Sequence, residues 1–427
     1  VELRSGYKLT EVGIVPEEWE VSSLAELGSF KNGINKSAED FGHGSPFINL
    51  MDVFGVAKVV GSGAVFGLVR STEAEQRTYE LLSGDVLFVR SSVKPEGVGL
   101  TALVPIRLPA TVFSGFLIRF RSSGRLTLEY KEYCFYLDSF RRRLIAQSTV
   151  SANTNINQNA LKRIKIAFPP IEIEQRAIAT ALSDVDSLLD GMTRLIAKKR
   201  DLKQAAMQQL LSASTRLPGF YGEWKVKRLG DHVRFLKHGA YARADLRSRG
   251  QIKYLHYGDI HVSSDLRLNA SAKSMPYLPE DRARNLDRLI EGDLVLVDAS
   301  EDLEGVGKSV EIVGGVGVQL VAGLHTIAAR FDKAVLADGF KTYLQFCSVF
   351  RDHLRRLAAG TKVYATSRAH IASVEMQLPT AEEQIAIATV LSDMDAELSA
   401  LEARRDKTRA LKQAMMQELL TGRTRLI

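Results

Sequence analysis

The chain has 427 residues, 45% hydrophobic and 25% charged, with a formal net charge of +7. This is the composition of an ordinary soluble protein long enough for two or three domains with proper cores. Two cysteines, Cys134 and Cys347, exclude a disulfide framework or thiolate metal cluster, and no apolar run approaches the ~20 residues of a membrane span; a cytoplasmic protein is expected.

Taken in order, residues 1–168 read as a mixed α/β domain. Val1 stands where Met would, as expected of a processed or trimmed start. Trp19 to Gly33 opens the domain, and GDVLFV at Gly84 to Val89 reads as a Gly-Asp turn into a buried strand. EGVG follows at Glu96, a second strand ends at Arg119-Phe120, and a helix is expected around Tyr130 to Ala146. Pro169 and Pro170 then stop the chain ahead of a long amphipathic helix in 169–212. Its apolar residues Ile178, Leu182, Val185, Leu189, Met192 and Ile196 fall alternately four and three apart, on one face. Glu174 to Leu211 would extend about 57 Å.

The order then repeats. Trp224 to Gly239 answers Trp19 to Gly33, and GDLVLV at Gly292 to Val297 answers GDVLFV. EGVG recurs at Glu304, Arg330-Phe331 answers Arg119-Phe120, and a helix is expected over Lys341 to Ala358. Residues 213–378 form this second α/β domain and 379–427 a second long helix, with Ile387, Leu391, Met394 and Leu398 on its apolar face. Over Glu174–Leu217 and Glu383–Leu426, 24 of 44 positions are identical, so the chain is an internal duplication with an expected pseudo-twofold axis. Stripes this long need a partner. The expected one is the other copy, as an antiparallel coiled coil with Ile178, Leu182, Val185 and Leu189 packed against Ile387, Leu391, Met394 and Leu398.

The two halves diverge outside this frame. Residues 42–65 and 243–275 have little in common, which suggests related modules reading different things. Lys and Arg exceed Asp and Glu by 20 to 17 in 1–168 and by 24 to 19 in 213–378, whereas 169–212 balances at 6 to 6 and 379–427 holds 7 to 8. The slight basic excess therefore lies in the globular parts and suits a polyanion.

Catalytic signatures are absent. There is no nucleotide-binding GxxxxGK[ST], no HExxH, and Phe168-Pro169-Pro170-Ile171 lacks the polar first and aromatic last residues of an amino-methyltransferase tetrad. Glu129-Tyr130-Lys131 has the ExK spacing of a nuclease without a convincing partner Asp upstream. What the domains offer is donor-rich loops at strand ends. In the first these hold Lys31, Lys36, Arg90, Ser91, Ser92, Lys94, Asn155 and Gln158. In the second they hold Lys237, His238, Arg243, Thr361, Lys362, Tyr364 and Arg368. Arg pairs bidentately with guanine and Asn or Gln with adenine, while Lys and Ser hold phosphates, so these are candidate DNA contacts. The plainer reading is a solvated polar loop.

YKLTEVGIVPEEWEVSSLAELG at the start, GDVLFVR, the FPPIEIEQ and LPTAEEQ corners and the TRL helix exits resemble the specificity subunits of type I restriction-modification systems. Leu378-Pro379-Thr380 departs from the Pro-Pro form of the corner. The resemblance covers nearly the whole chain. It implies two target-recognition domains joined by two conserved helical regions, with no catalysis in this chain. It also implies duplex DNA, two methyltransferase subunits and two motor-nuclease subunits as partners, which would carry S-adenosylmethionine, ATP and Mg. Competing classes are a coiled-coil scaffold with two peptide-binding domains, or a stand-alone methyltransferase or nuclease.

Overall fold

The computed structural model describes residues 5–59, 66–150, 152–263, 265–358, 360 and 363–426. The chain forms two compact units, Val1–Thr193 with Ala403–Ile427, and Arg194–Glu402. Two long helices, Glu172–Leu211 and Ala381–Leu420, each run through both units. Each unit is therefore an α/β domain, the first half of the helix that follows it, and the last half of the other helix.

In the first unit the central sheet is antiparallel, in the order Gly28–Asn32, Leu117–Ser122, Val86–Val89, Thr101–Leu103. Val86 to Val89 is fully buried, as its unbroken apolar run requires, with Phe88 set edge-on to Phe120 and Phe135. The second unit repeats this with Val233–Phe235, Thr326–Phe331, Leu294–Val297 and Ser309–Val313, and adds Arg267–Asn269 at the edge.

The Gly-Asp pair that opens each buried strand has a shared structural role. Gly84 and Gly292 take φ of +87° and +86°, in the left-handed region that favours glycine. The following Asp85 and Asp293, each 1% exposed, accept two hydrogen bonds from one guanidinium of the neighbouring strand: Arg121 at 2.8 and 2.7 Å, Arg330 at 2.7 and 2.7 Å. This corrects the match of Arg119 with Arg330 by two residues. In the strand ladder Phe120 faces Val86 and Ala329 faces Leu294, so Arg121 is the counterpart of Arg330.

Each expected mid-domain helix is interrupted. Leu128–Lys131 gives way to a 3-10 turn, Cys134–Tyr136, and a helix, Asp138–Ala146; Lys341–Phe346 is 3-10 before the helix Ser348–Leu357. Leu137 and Cys347 are extended at the breaks. The breaks turn Tyr133, Phe135 and Phe140 in one unit, and Tyr343 and Phe350 in the other, into the core.

Both units hold an antiparallel helix pair, and the packing corrects the expected seam. Ile178 and Leu182 join a core with Trp19, Phe168, Leu419 and Leu420, whereas Ile387 and Leu391 join one with Leu210, Leu211 and Leu229. Val185 and Leu189 are half-buried, Leu398 is buried and Met394 packs on the second core. Antiparallel helices bring the start of one against the end of the other. Each stripe therefore packs on the end of the other helix, with equivalent partners 209 positions apart in the two units, and the two stripes do not face each other as expected.

Candidate nucleic-acid interface

Where the buried strand of each sheet leaves the core, its next residues pair with the polar segment that precedes the long helix. In the first unit Ser91–Ser92 pairs antiparallel with Thr154–Asn155, which pairs in turn with Thr149–Val150. Ile156 donates its amide to the carbonyl of Arg90 at 2.9 Å, and Arg90 Nη1 donates to Gly115 O at 3.2 Å. Gln158 follows at the start of a short helix and hydrogen-bonds Asn32, at the end of the neighbouring strand. Residues far apart in sequence thus form one patch: Arg90, Ser91, Ser92, Asn155 and Gln158, with Asn32 beside them.

Not every predicted residue joins it. Lys31, one position before Asn32, lies over the Tyr79 ring at 5.4 Å from its centroid. Lys36 is turned to Glu75, with an Nζ–Oε1 distance of 2.9 Å, and its side chain is only 14% exposed. A lysine held this way helps little with phosphate. Lys94 is exposed, and Ser92 is buried, so its hydroxyl supports the loop: a Cβ on Gly97 would come within 2.2 Å of it.

The second unit builds the same place with other side chains. Ala299–Ser300 pairs with Tyr364–Ala365, Thr366 donates to Asp298 O at 2.7 Å, and Arg368 begins the short helix where Gln158 does in the first unit. Arg368 Nη2 donates to Leu236 O at 2.9 Å and to His238 Nδ1 at 3.1 Å. Since Arg can only donate, Nδ1 accepts and the imidazole is neutral. Burial, and then the Arg368 charge, push the His238 pKa down, which favours that form. Lys237 is exposed beside it. Arg243 pairs with Asp259 at 2.8 Å, and Tyr364 is half-buried in the strand pair. Thr361 and Lys362 lie outside the described residues.

Sequence reasoning missed the centre of this second patch. Asp298 pairs with His325 Nδ1 at 3.3 Å; His325 stands edge-on to Tyr257, with centroids 5.4 Å apart, and Tyr257 lies against His256 at 4.5 Å. Asp259 accepts from the His256 amide at 3.1 Å, which links the row to Arg243. Burial lowers the His256 pKa, with Asp259 opposing and Arg243 and His325 adding to the fall. A signal was present: seven of the eight histidines fall in 213–378.

Two clefts beside the helix pairs complete the candidate surfaces. In the first unit Ser183, Asp186, Leu189, Arg409, Lys412 and Gln413 line one, together with Tyr133. Tyr133 Oη donates to Asp186 at 3.1 Å and Lys412 Nζ to its other oxygen at 2.5 Å. In the second unit the counterparts Ser392, Asp395, Leu398, Arg200, Lys203 and Gln204 line the other, with Tyr343, and Lys203 pairs with Asp395. The positions 209 apart are the same residue in every case. Among the described residues, no group of three or more His, Cys, Asp or Glu could hold a metal, and no helix is long and apolar enough to cross a membrane.

The two units thus repeat one frame and one cleft while their polar strand-end surfaces differ. Residues 16–198 match the family model for the type I restriction modification DNA specificity domain. The chain is 24% identical, over 98% of its own length and 97% of the relative's, to a Methanocaldococcus jannaschii protein provisionally named the MjaX specificity subunit of a type I restriction enzyme. Its fold is similar to the S subunit of the M. genitalium type I restriction-modification system, with TM-score 0.53, 14% identity and 98% of both chains covered. It is also similar to a chain from a type I R-M system solved for its complex assembly and conformational transition, with TM-score 0.63, 16% identity, and 96% and 99% covered. Residues 16–198 thus match a type I restriction modification DNA specificity domain, and nearly the whole chain is similar to specificity subunits of such systems.

Proposed function

We propose that the protein is the non-catalytic subunit that selects an asymmetric, bipartite DNA target, with one half-site read by each compact unit. The observation that carries this reading is the same strand-end frame holding Arg90, Asn155 and Gln158 in one unit and Asp298, Ala365 and Arg368 in the other. Equal frames with unequal side chains meet duplex DNA in one local geometry and read different bases.

The domains proposed as readers are 1–168 and 213–378, with 169–212 and 379–427 as the helical regions that set the unread spacer. The two clefts support two copies of one partner, since equal surfaces bind equal molecules. In this reading the partners are two methyltransferase subunits, which extract one adenine per half-site, and for cleavage two motor-nuclease subunits. S-adenosylmethionine, ATP and Mg belong to those partners, and the complex acts in the cytoplasm.

The test is expression with the methyltransferase of the same system, followed by sequencing of methylated DNA. A two-part motif with an unread gap is expected, and none from the chain expressed alone. Alanine at Arg90 and Lys94 should relax one half-site, and alanine at Arg368 and Tyr364 the other. Loss from both half-sites with either set would overturn the assignment of one unit to one half-site. For the scaffold alternative the deciding property is salt: binding to duplex DNA should fall steeply as salt rises, because phosphate contacts release counterions.

A further inference from the structure

Asp298 occupies the backbone position that Arg90 occupies in the first unit. Each is the residue directly after the buried strand. Arg90 receives the amide of Ile156 and donates its own to Phe116; Asp298 receives that of Thr366 and donates its own to His325. The two patches therefore carry opposite charges at one place in one frame, with Gln158 answered by Arg368 two residues beyond each contact.

A carboxylate on a phosphate-binding face is repelled by every phosphate near it. Solvation could keep it there as a bystander, but Asp298 is built in. His325 holds it by Nδ1 at 3.3 Å, and His325 has φ of +57°, a conformation that residues with a Cβ adopt at a cost. Among the described residues only Ala110 and Ala213 share this. The Asp298 side chain is 28% exposed and that of His325 49%, so both can meet a ligand.

We propose, on the basis of the DNA-reading function above, that Asp298 is a specificity-determining residue of the second unit, oriented by His325 and accepting a hydrogen bond from a base amino group. In the major groove such donors are cytosine N4 and adenine N6, whereas the Arg90 guanidinium suits the two acceptors of guanine. Within the polar row, Lys237 remains for phosphates, and Asp298 supplies what it cannot, a contact that discriminates against guanine and thymine on the strand it faces. The second half-site thus carries cytosine or adenine at the position whose counterpart in the first half-site is guanine.

The test uses the full chain with its methyltransferase and reads the methylated motif. Asp298→Asn, which keeps the shape and adds a donor, should relax one position of one half-site about tenfold or more, leaving the other half-site unchanged. His325→Gly removes the orienting contact at a φ that glycine adopts freely; it should relax the same position, with continued methylation and an unchanged first half-site showing that the variant is folded. Were the wild type to give a two-part motif that both variants reproduce unchanged, the inference would be overturned while the function stood. A wild-type complex giving no two-part motif would overturn the function itself, and the inference with it.

Discussion

Glu174 and Arg425 are 251 residues apart in sequence and form a two-point ion pair: Nη2 donates to Oε2 at 2.9 Å, and Nε bonds the other oxygen. Glu174 opens the first long helix, is 1% exposed, and receives the arginine from the exit of the second. Glu383 and Arg216 repeat the arrangement in the second unit, with Nη2–Oε2 at 2.6 Å. The neighbouring Gln175 and Gln384 are equally buried. Each accepts a loop amide at 2.8 Å and donates to the proline carbonyl of the corner, at 2.9 and 3.0 Å. The Glu-Gln of both corners thus fastens the helix start to its domain, and the single Pro379 keeps the geometry of Pro169-Pro170.

Removing one member of such a pair leaves a buried carboxylate unpaired. Arg425→Ala should destabilise the first unit by about 3 kcal/mol. Arg425→Ala with Glu174→Gln should recover part of that loss, because no charge is then stranded. Denaturant titration of the single and double variants checks this; equal losses in both would show that the charge is not what matters.

In the proposed reading, a matched change in both helices should lengthen the spacer. A four-residue insertion in one helix alone would shift its register against the other. Inserted after Thr193 and after Glu402, where the units divide, it leaves the Asp186–Lys412 and Asp395–Lys203 pairs within their own units. About 6 Å is added, close to two base pairs. The methylated motif should gain about two unread base pairs with both half-sites intact, and an active complex with the original gap would refute the spacing role.

In the proposed reading each cleft receives one partner copy. Gln204 and Gln413 line them and are exposed, so tryptophan at either fills a cleft without disturbing a core. Mass measurement of the assembled complex should show two methyltransferase copies for the wild type, one for each single variant and none for the double. A single variant that keeps both copies would remove its cleft from the interface.

The second reader should be the acid-sensitive one. The folded pKa of His238 is depressed, so the stability this gives is present above the ordinary value near 6.5 and is lost as pH falls below it. Protonation also breaks the acceptance from Arg368. Between pH 7.5 and 5.5 discrimination at the second half-site should weaken more than at the first, and His238→Gln, whose amide oxygen can accept in place of Nδ1, should lessen the difference. Competition binding with DNA altered in one half-site at a time measures it.

The duplication, both long helices and the buried strands were legible because each rests on local regularity: a 3.6-residue period, a run of apolar residues, a Gly-Asp turn. The unlike loops also stood out, and Arg90, Asn155, Gln158, His238 and Arg368 meet as patches because the strand ends converge. Register was not legible. That Arg121, and not Arg119, answers Arg330 depends on which strand positions face each other, and that Ile178 meets Leu419 and Leu420 instead of Ile387 depends on helix direction. Lys36 read as a free cation until the fold set Glu75 beside it, although 39 residues separate them. Asp298 and His325 lie in unremarkable stretches, and only the sheet brings them together with His238 and Arg368. Sequence by itself determined the repeated elements, because their patterns are set by neighbours along the chain; tertiary structure decided which charges were already neutralised and which were left to meet a ligand, because charge pairing depends on distance in space.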